Sequence, residues 1–220
     1  MEGTATIGAF LHRVFAFDAG SPLLFTQFYF WAFFAFVFAG FTLVKSRRLL
    51  RDAFLFFVSL FFYYKTSGLS VLILIFVTCS DFLIAKRIYA SRTQGGKKAW
   101  LILSICIDLF LLCYFKYAYF FTDVVNNLLG VDFKVFDVFS WAGNKMVGME
   151  RWSVDRIVLP VGISFFTFQV ISYTVDVYRG QLKPVDNILD FGFFVSFFPQ
   201  LVAGPIVRAS EFIPQMYRPW

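Results

Sequence analysis

Gly162, Gln169, Ser172, Tyr173 and Asp176 carry the best case for chemistry in this sequence, because they recur within one apolar run, LPVGISFFTFQVISYTVDVYRG, from Leu159 to Gly180. Placed on a helix at 100° per residue, the five fall within a sector of about 100°. The rest of that surface is mostly Phe, Ile and Val. An amide, a hydroxyl, a phenol and a carboxylate cannot face hydrocarbon, since an unpaired polar group there costs several kcal/mol. They must face other helices or a wet cavity. Two roles fit: lining a passage for a polar substrate, or bonding helices together as polar side chains do in membrane bundles.

A second run, DFGFFVSFFPQLVAGPIVR from Asp190 to Arg208, is interrupted by Pro199, Gln200, Gly204 and Pro205, with Arg208 one turn later. Proline removes a backbone donor and Gly-Pro favours a bend. Broken backbone at membrane depth survives only where protein or water satisfies the freed groups. The expectation is a kinked or re-entrant segment lining a cavity. Arg208 either meets an anionic group or marks the end of the segment.

Asp81, Asp108 and Lys116 lie within or near apolar runs, and intramembrane ionisable groups are functional candidates by default. Here a structural role is expected: Asp108 pairing within the bundle, Lys116 reaching an interface. Cys79, Cys106 and Cys113 read as small hydrophobes, and no Cys/His spacing suggests a metal. His12, beside Arg13 in the short amphipathic stretch IGAFLHRVFAF, is badly placed to be a general base.

The elements that position these groups follow from composition. Of 220 residues, 59% are hydrophobic, 22% aromatic and only 15% charged, against nearer half and a quarter in soluble domains. Thirty-four phenylalanines exceed what a soluble core of this size could hide. The net charge of +6 does not point to nucleic acid, because the basic residues cluster in short connections. An all-α, polytopic transmembrane bundle is expected, with about five spans plus a broken or re-entrant segment. Residues 1–22 read as an interfacial segment, and Ser21-Pro22 starts a first span to Val44. Further spans follow to about residue 122: one from near Leu49 to Tyr64, Leu69 to Ala85, and Trp100 to near Phe121. Gly95-Gly96 marks a turn, 123–156 an extracytoplasmic loop, and a fifth span runs from about Ile157 to Val177 within 157–220. Basic residues 45–51 and 86–98 place those connections in the cytoplasm. Lys65 and Trp141 are then outside.

The wording LPVGISFFTFQVISYTVDVYRG followed by FFPQLVAGPIVR resembles the membrane-bound O-acyltransferase family, in its bacterial alginate O-acetyltransferase and D-alanyl-transfer branch. The likeness extends back through CYFKYAYFF at Cys113 to Phe121, where the motif around Lys116 looks like a helix-packing signature. It implies a multi-pass protein of the bacterial inner membrane. It also implies an acyl donor on the cytoplasmic side, acetyl-CoA or an acyl carrier, with no bound cofactor or metal. The acceptor would be hydroxyls of an exported polysaccharide or wall polymer, reached through a periplasmic partner acyltransferase. Family members carry a catalytic His in a C-terminal half. The resemblance therefore makes this chain an N-terminal portion, expected to be inactive alone, with its catalytic His region beyond Trp220. Two other readings stay open at this point: a transporter or channel-type subunit gated by the broken segment, and a catalytically silent membrane fragment.

Overall fold

Gly68 ends a long apolar helix with a φ of +60. The computed structural model describes residues 28–148, 153–204 and 207–218, and among these every regular element is helical. The segment 1–22, with His12 and the Ser21-Pro22 start, lies outside the described residues, as does Pro205.

Helix α1 is Phe28–Val44 and α2 is Arg48–Ser67; a single tight turn, Gly68–Ser70, leads into α3, Val71–Ala90. Helix α4, Gln94–Leu112, passes through a π-type turn at Cys113–Tyr117 into α5, Ala118–Leu129. Helix α6 is Val138–Val147, α7 Ile163–Tyr178, α8 Ile188–Ser196, α9 Phe198–Ala203 and α10 Ala209–Met216. Two continuous helical runs, Arg48–Ala90 of 43 residues and Gln94–Leu129 of 36 residues, are long and apolar enough to cross a membrane. Their outward faces carry Phe57, Leu72, Phe76, Leu83, Phe110 and Phe120, all exposed. Such a surface suits lipid, not water, and the chain is a membrane protein.

Helices α3, α4 and α7 pack on one another, α8 lies between α2 and α3, α1 lines the outer side of α2, and α10 closes over α7 and α8. The core is the seam between them, with Leu74, Val77, Ile88, Phe166, Val170, Tyr173, Phe191 and Phe194 fully buried. Where helices leave lipid for one another the hydrophobic gain is small, so close approach and polar bonds must hold the seam. Gly192 on α8 shows the closeness: a Cβ there would sit 2.5 Å from the Phe56 ring of α2.

Several boundaries differ from the sequence expectation. Gly95 and Gly96 are in the first turn of α4, because the Gly96 amide donates to the Thr93 hydroxyl at 3.2 Å and that cap starts the helix. The fourth run does not end near Phe121 but continues to Leu129. The stretch 123–156 therefore opens in helix and contains a second, α6. Asp137 starts α6 by accepting from the Phe139 and Ser140 amides at 3.0 and 3.3 Å. Tyr114 pins that cap to the bundle, donating to Asp137 Oδ1 at 3.0 Å. The fifth helix begins at Ile163, not Ile157, because Pro160 and the positive φ of Gly162 keep the preceding chain out of helix. Lys65, at the connection read as lying outside, is buried among the helices. Arg51, read as part of a cytoplasmic topology signal, is buried too.

Candidate functional site where the two motifs meet

Gly162 is the N-cap of α7, not a member of its polar face. Its φ of +73 is left-handed, and a Cβ there would lie 2.6 Å from the Leu201 carbonyl oxygen of α9. At this point the two sequence motifs meet backbone to backbone, and glycine is what lets them. The residue before it is clamped by α2: Tyr63 donates its hydroxyl to the Val161 carbonyl at 2.8 Å, and the Val161 amide donates to Ser67 Oγ at 2.8 Å.

One face of α7 does turn inward. Gln169, Tyr173 and Asp176 are buried at i, i+4, i+7, and Ser172 is half-buried. Their partners are backbone groups of the second motif and its lead-in. In an unbroken helix the Phe198 amide would donate to the Phe194 carbonyl. The chain breaks at Phe197 (ψ 107), two residues ahead of Pro199. Both orphans find side chains: Gln169 Nε2 donates to Phe194 O at 2.8 Å, and the Phe198 amide donates to Ser59 Oγ on α2 at 3.3 Å. Tyr173 accepts from the Val185 amide at 3.0 Å and stacks near Phe191 at 4.6 Å between centroids. Asp176 sits at the helix end, where its backbone carbonyl accepts from the amides of Gln181 and Leu182.

In the second motif Pro199 is exposed near the start of α9, Gln200 is buried and Gly204 is half-buried. A Cβ on Gly204 would lie 2.6 Å from Gln200 Cα. A larger residue there strains the turn that ends α9. Arg208 is exposed and starts α10, its carbonyl accepting from the Glu211 and Phe212 amides at 3.0 and 3.1 Å. Exposure leaves it available to an anionic group.

Away from the motifs, Asp81 on α3 and Asp108 on α4 are buried together with Ser104 of α4 and Thr174 of α7. Lys116 is exposed in the π-type turn and donates to Ser164 Oγ at 3.0 Å, tying α4 to the start of α7.

Sequence reading passed over a third cluster. Arg48 and Arg51 of α2 meet Asp52 and Asp190: Arg48 Nη2 lies 3.0 Å from Asp190 Oδ2, and Arg51 Nε lies 2.9 Å from Asp52 Oδ1. Arg51 also donates to the Met216 carbonyl at the end of α10, and Arg48 stacks over the Tyr217 ring at 4.3 Å. Burial, and then the nearby Asp190 carboxylate, raise the Tyr217 phenol above its ordinary pKa. The missed signal was Asp52 inside the basic run, one residue after Arg51 and four after Arg48. Ser59, Tyr63 and Ser67, at i, i+4, i+8 on α2, were the legible sign of the face that clamps both motifs.

Gln169→Leu is expected to lower stability by about 1–3 kcal/mol, the cost of a buried carbonyl left unpaired. Ser172→Ala should stay within about 0.5 kcal/mol of wild type. Unfolding of the detergent-purified protein separates the two; equal stability of both variants would show that Gln169 is not holding Phe194.

Among the described residues there is no histidine and no cluster of metal ligands. The two motifs form a braced contact between a capped helix start and a broken helix, not a nucleophile with its base. No protein-family model and no solved structure matches the chain. Curated relatives do. The probable alginate O-acetylase AlgI of Pseudomonas aeruginosa is 39% identical over 141 residues, 63% of this chain and 24% of that protein. The protein of the same name from Pseudomonas syringae pv. tomato is 33% identical over 181 residues, covering 81% of this chain and 32% of the relative. A peptidoglycan O-acetyltransferase of Helicobacter pylori is 29% identical over 230 residues, 92% of this chain and 39% of its own length. The chain thus spans about a quarter to two fifths of the length of these relatives. Together with the two long motifs in their order, that similarity places the chain in the membrane-bound O-acyltransferase family, on the branch that holds the alginate O-acetylases.

Proposed function

We propose that the protein to which this chain belongs transfers an acyl group, acetyl by preference, to hydroxyls of an exported cell-envelope polysaccharide. The observation that carries the reading is the similarity, over 63–92% of this chain, to proteins named alginate O-acetylase and peptidoglycan O-acetyltransferase. The donor is acetyl-CoA or an acyl carrier, used as a substrate, and a periplasmic acyltransferase partner completes delivery to the polymer.

The protein sits in the bacterial inner membrane as a multi-pass bundle of about five spans. The ends that gather Arg48, Lys86 and Asp190 face the cytoplasm, in keeping with the basic connections there. The opposite ends, with Ser67, Val161 and Trp141, face outward. Arg208 and the half-buried Ser172 and Gly204 are among the groups of the two motifs left to meet substrate, whereas Gln169 and Tyr173 already serve backbone partners. In this reading the chain's contribution is to hold the passage for the acyl group, and the general base lies outside the described residues.

Expression in a host lacking its own O-acetylase should raise the alkali-labile acetate on the exported polymer. An unchanged ester content, with the protein present in the membrane, would reject the activity. Arg208→Ala should then weaken donor use by about 1.5–3 kcal/mol if a charge-assisted bond is lost, with Arg208→Lys recovering part; rate against donor concentration reads it. Orientation is tested with single cysteines at Lys97 and Trp141 in a background free of the native three. An impermeant thiol reagent on intact spheroplasts should label position 141 and spare 97, and the reverse pattern would invert the topology.

A further inference from the structure

Helices α3 and α4 are tied near their middle, where the Ser104 hydroxyl donates to Asp81. Toward the end that carries α6 they leave a groove of about 580 Å³ between them, inside the range of about 300–1,000 Å³ typical of ligand sites. Its two ridges repeat every four residues, Leu72 and Phe76 on α3 opposite Cys106 and Phe110 on α4. One such repeat is about 6 Å of helix, so the groove runs along the helices and not across them. Behind the ridges lie half-buried Ile107 and buried Leu111. Phe139 of α6 closes the far end, its ring 5.2 Å from that of Tyr114 and 5.4 Å from that of Phe115, both just beyond Leu111 on the same run. Apart from the Cys106 thiol, every lining side chain is hydrocarbon.

Three observations say what covers this groove. Its rim is continuous with the lipid-facing surface, because Leu72, Phe76 and Phe110 are exposed on the two helical runs long and apolar enough to cross a membrane. Helix α6, which closes it, is lightly seated: among its described side chains none is buried, and the Asp137–Tyr114 bond at its cap and the Phe139 ring fasten it to α4. The one charged side chain within α6 is a cation, Lys145, whose ammonium lies 5.2 Å from the centre of the Trp141 ring. Tryptophan belongs at the level of lipid headgroups, and a lysine there attracts phosphate.

We propose that the groove holds one acyl chain of a bilayer phospholipid, with the glycerophosphate end at the level of α6 and Lys145. Moving a chain from bulk lipid to this groove gains little from the hydrophobic effect. What it gains is contact, since walls without partner atoms forfeit their dispersion energy. A chain there touches α3, α4 and Phe139 at once and completes the seat of α6. The site does not depend on the orientation proposed above; that orientation only assigns it to the external leaflet.

The test uses the full-length protein in detergent, titrated with palmitoyl-oleoyl phosphatidylglycerol, with bound lipids counted by native mass spectrometry. One phospholipid should bind ahead of all others. Cys106→Trp should raise its dissociation constant by about tenfold or more, because the indole occupies the groove. Phe57→Trp, on an exposed position of α2 away from the groove, should leave it unchanged. Should Cys106→Trp fail to fold, a protein retaining Cys106 as its single cysteine gives an independent answer. Its reaction with N-ethylmaleimide should slow as phospholipid is added. No preferred first lipid, or equal weakening by the two tryptophan variants, would overturn the proposal. So would a Cys106 thiol that is unreactive with and without lipid, which would mean that protein covers the groove. Equal protection by added detergent alone would overturn phospholipid as the occupant.

Discussion

Arg51→Met is expected to destabilise the protein by about 3–5 kcal/mol, the cost of stranding a buried charge whose partner has been removed. Arg51 and Asp52 side chains are 5% and 0% exposed and lie 2.9 Å apart. Removing the guanidinium leaves Asp52 with Arg48, whose nearest approach is 3.8 Å and whose side chain is nearly half exposed. That contact is weak and partly screened by solvent. The same substitution removes the donor to the Met216 carbonyl, so α10 should loosen along with α2. The double variant Arg51→Met/Asp52→Leu discriminates. If the penalty comes from an uncompensated charge, the double variant should recover most of it, because apolar replacement of a whole buried pair is often neutral. Denaturant unfolding of the three proteins reads both effects. An Arg51→Met protein within about 1 kcal/mol of wild type would mean that the α2 end is open to water after all.

Gly162→Ala is expected to cost about 2–5 kcal/mol. Two causes add: a left-handed backbone for a residue with a Cβ, about 1–2 kcal/mol, and a Cβ 2.6 Å from the Leu201 carbonyl, for which overpacking costs about 1–3 kcal/mol. Gly180 is the internal control. It has the same φ of +73 but open space where a Cβ would go. Gly180→Ala should show only the backbone cost. The difference between the two variants measures how tightly the first motif is seated on the second. In the proposed acyltransferase the Gly162 variant should lose activity beyond its loss of folded protein, because the contact it disturbs positions α9. Equal stabilities for the two alanine variants would mean that the motifs do not touch through Gly162.

The sequence determined the helical class, the membrane setting and the two stretches that matter, because each rests on properties local to the chain. Apolar length, the density of phenylalanine and the position of Pro199 relative to the apolar run are readable without knowing any partner. Helix α7's inward face was legible for the same reason, as Gln169, Tyr173 and Asp176 keep one period. What those side chains touch was not legible. Gln169 serves the Phe194 carbonyl because α8 breaks at Phe197 and brings that orphan alongside α7, and the break is set by packing against α2 as much as by the proline. Gly162 looked like a member of the polar helix face; only the structure makes it the N-cap, in backbone contact with Leu201 from a segment 39 residues later. Arg48 and Arg51 looked like topology signals because snorkelling and burial use the same residue type in the same place. Asp190, from the far end of the chain, decides between them. Asp81 and Asp108 illustrate the same division: each was visible as a charge in an apolar run, but charges 27 residues apart become one buried pair only when two helices pack side by side. Local pattern fixes which groups must be hidden, and tertiary packing alone decides what hides them.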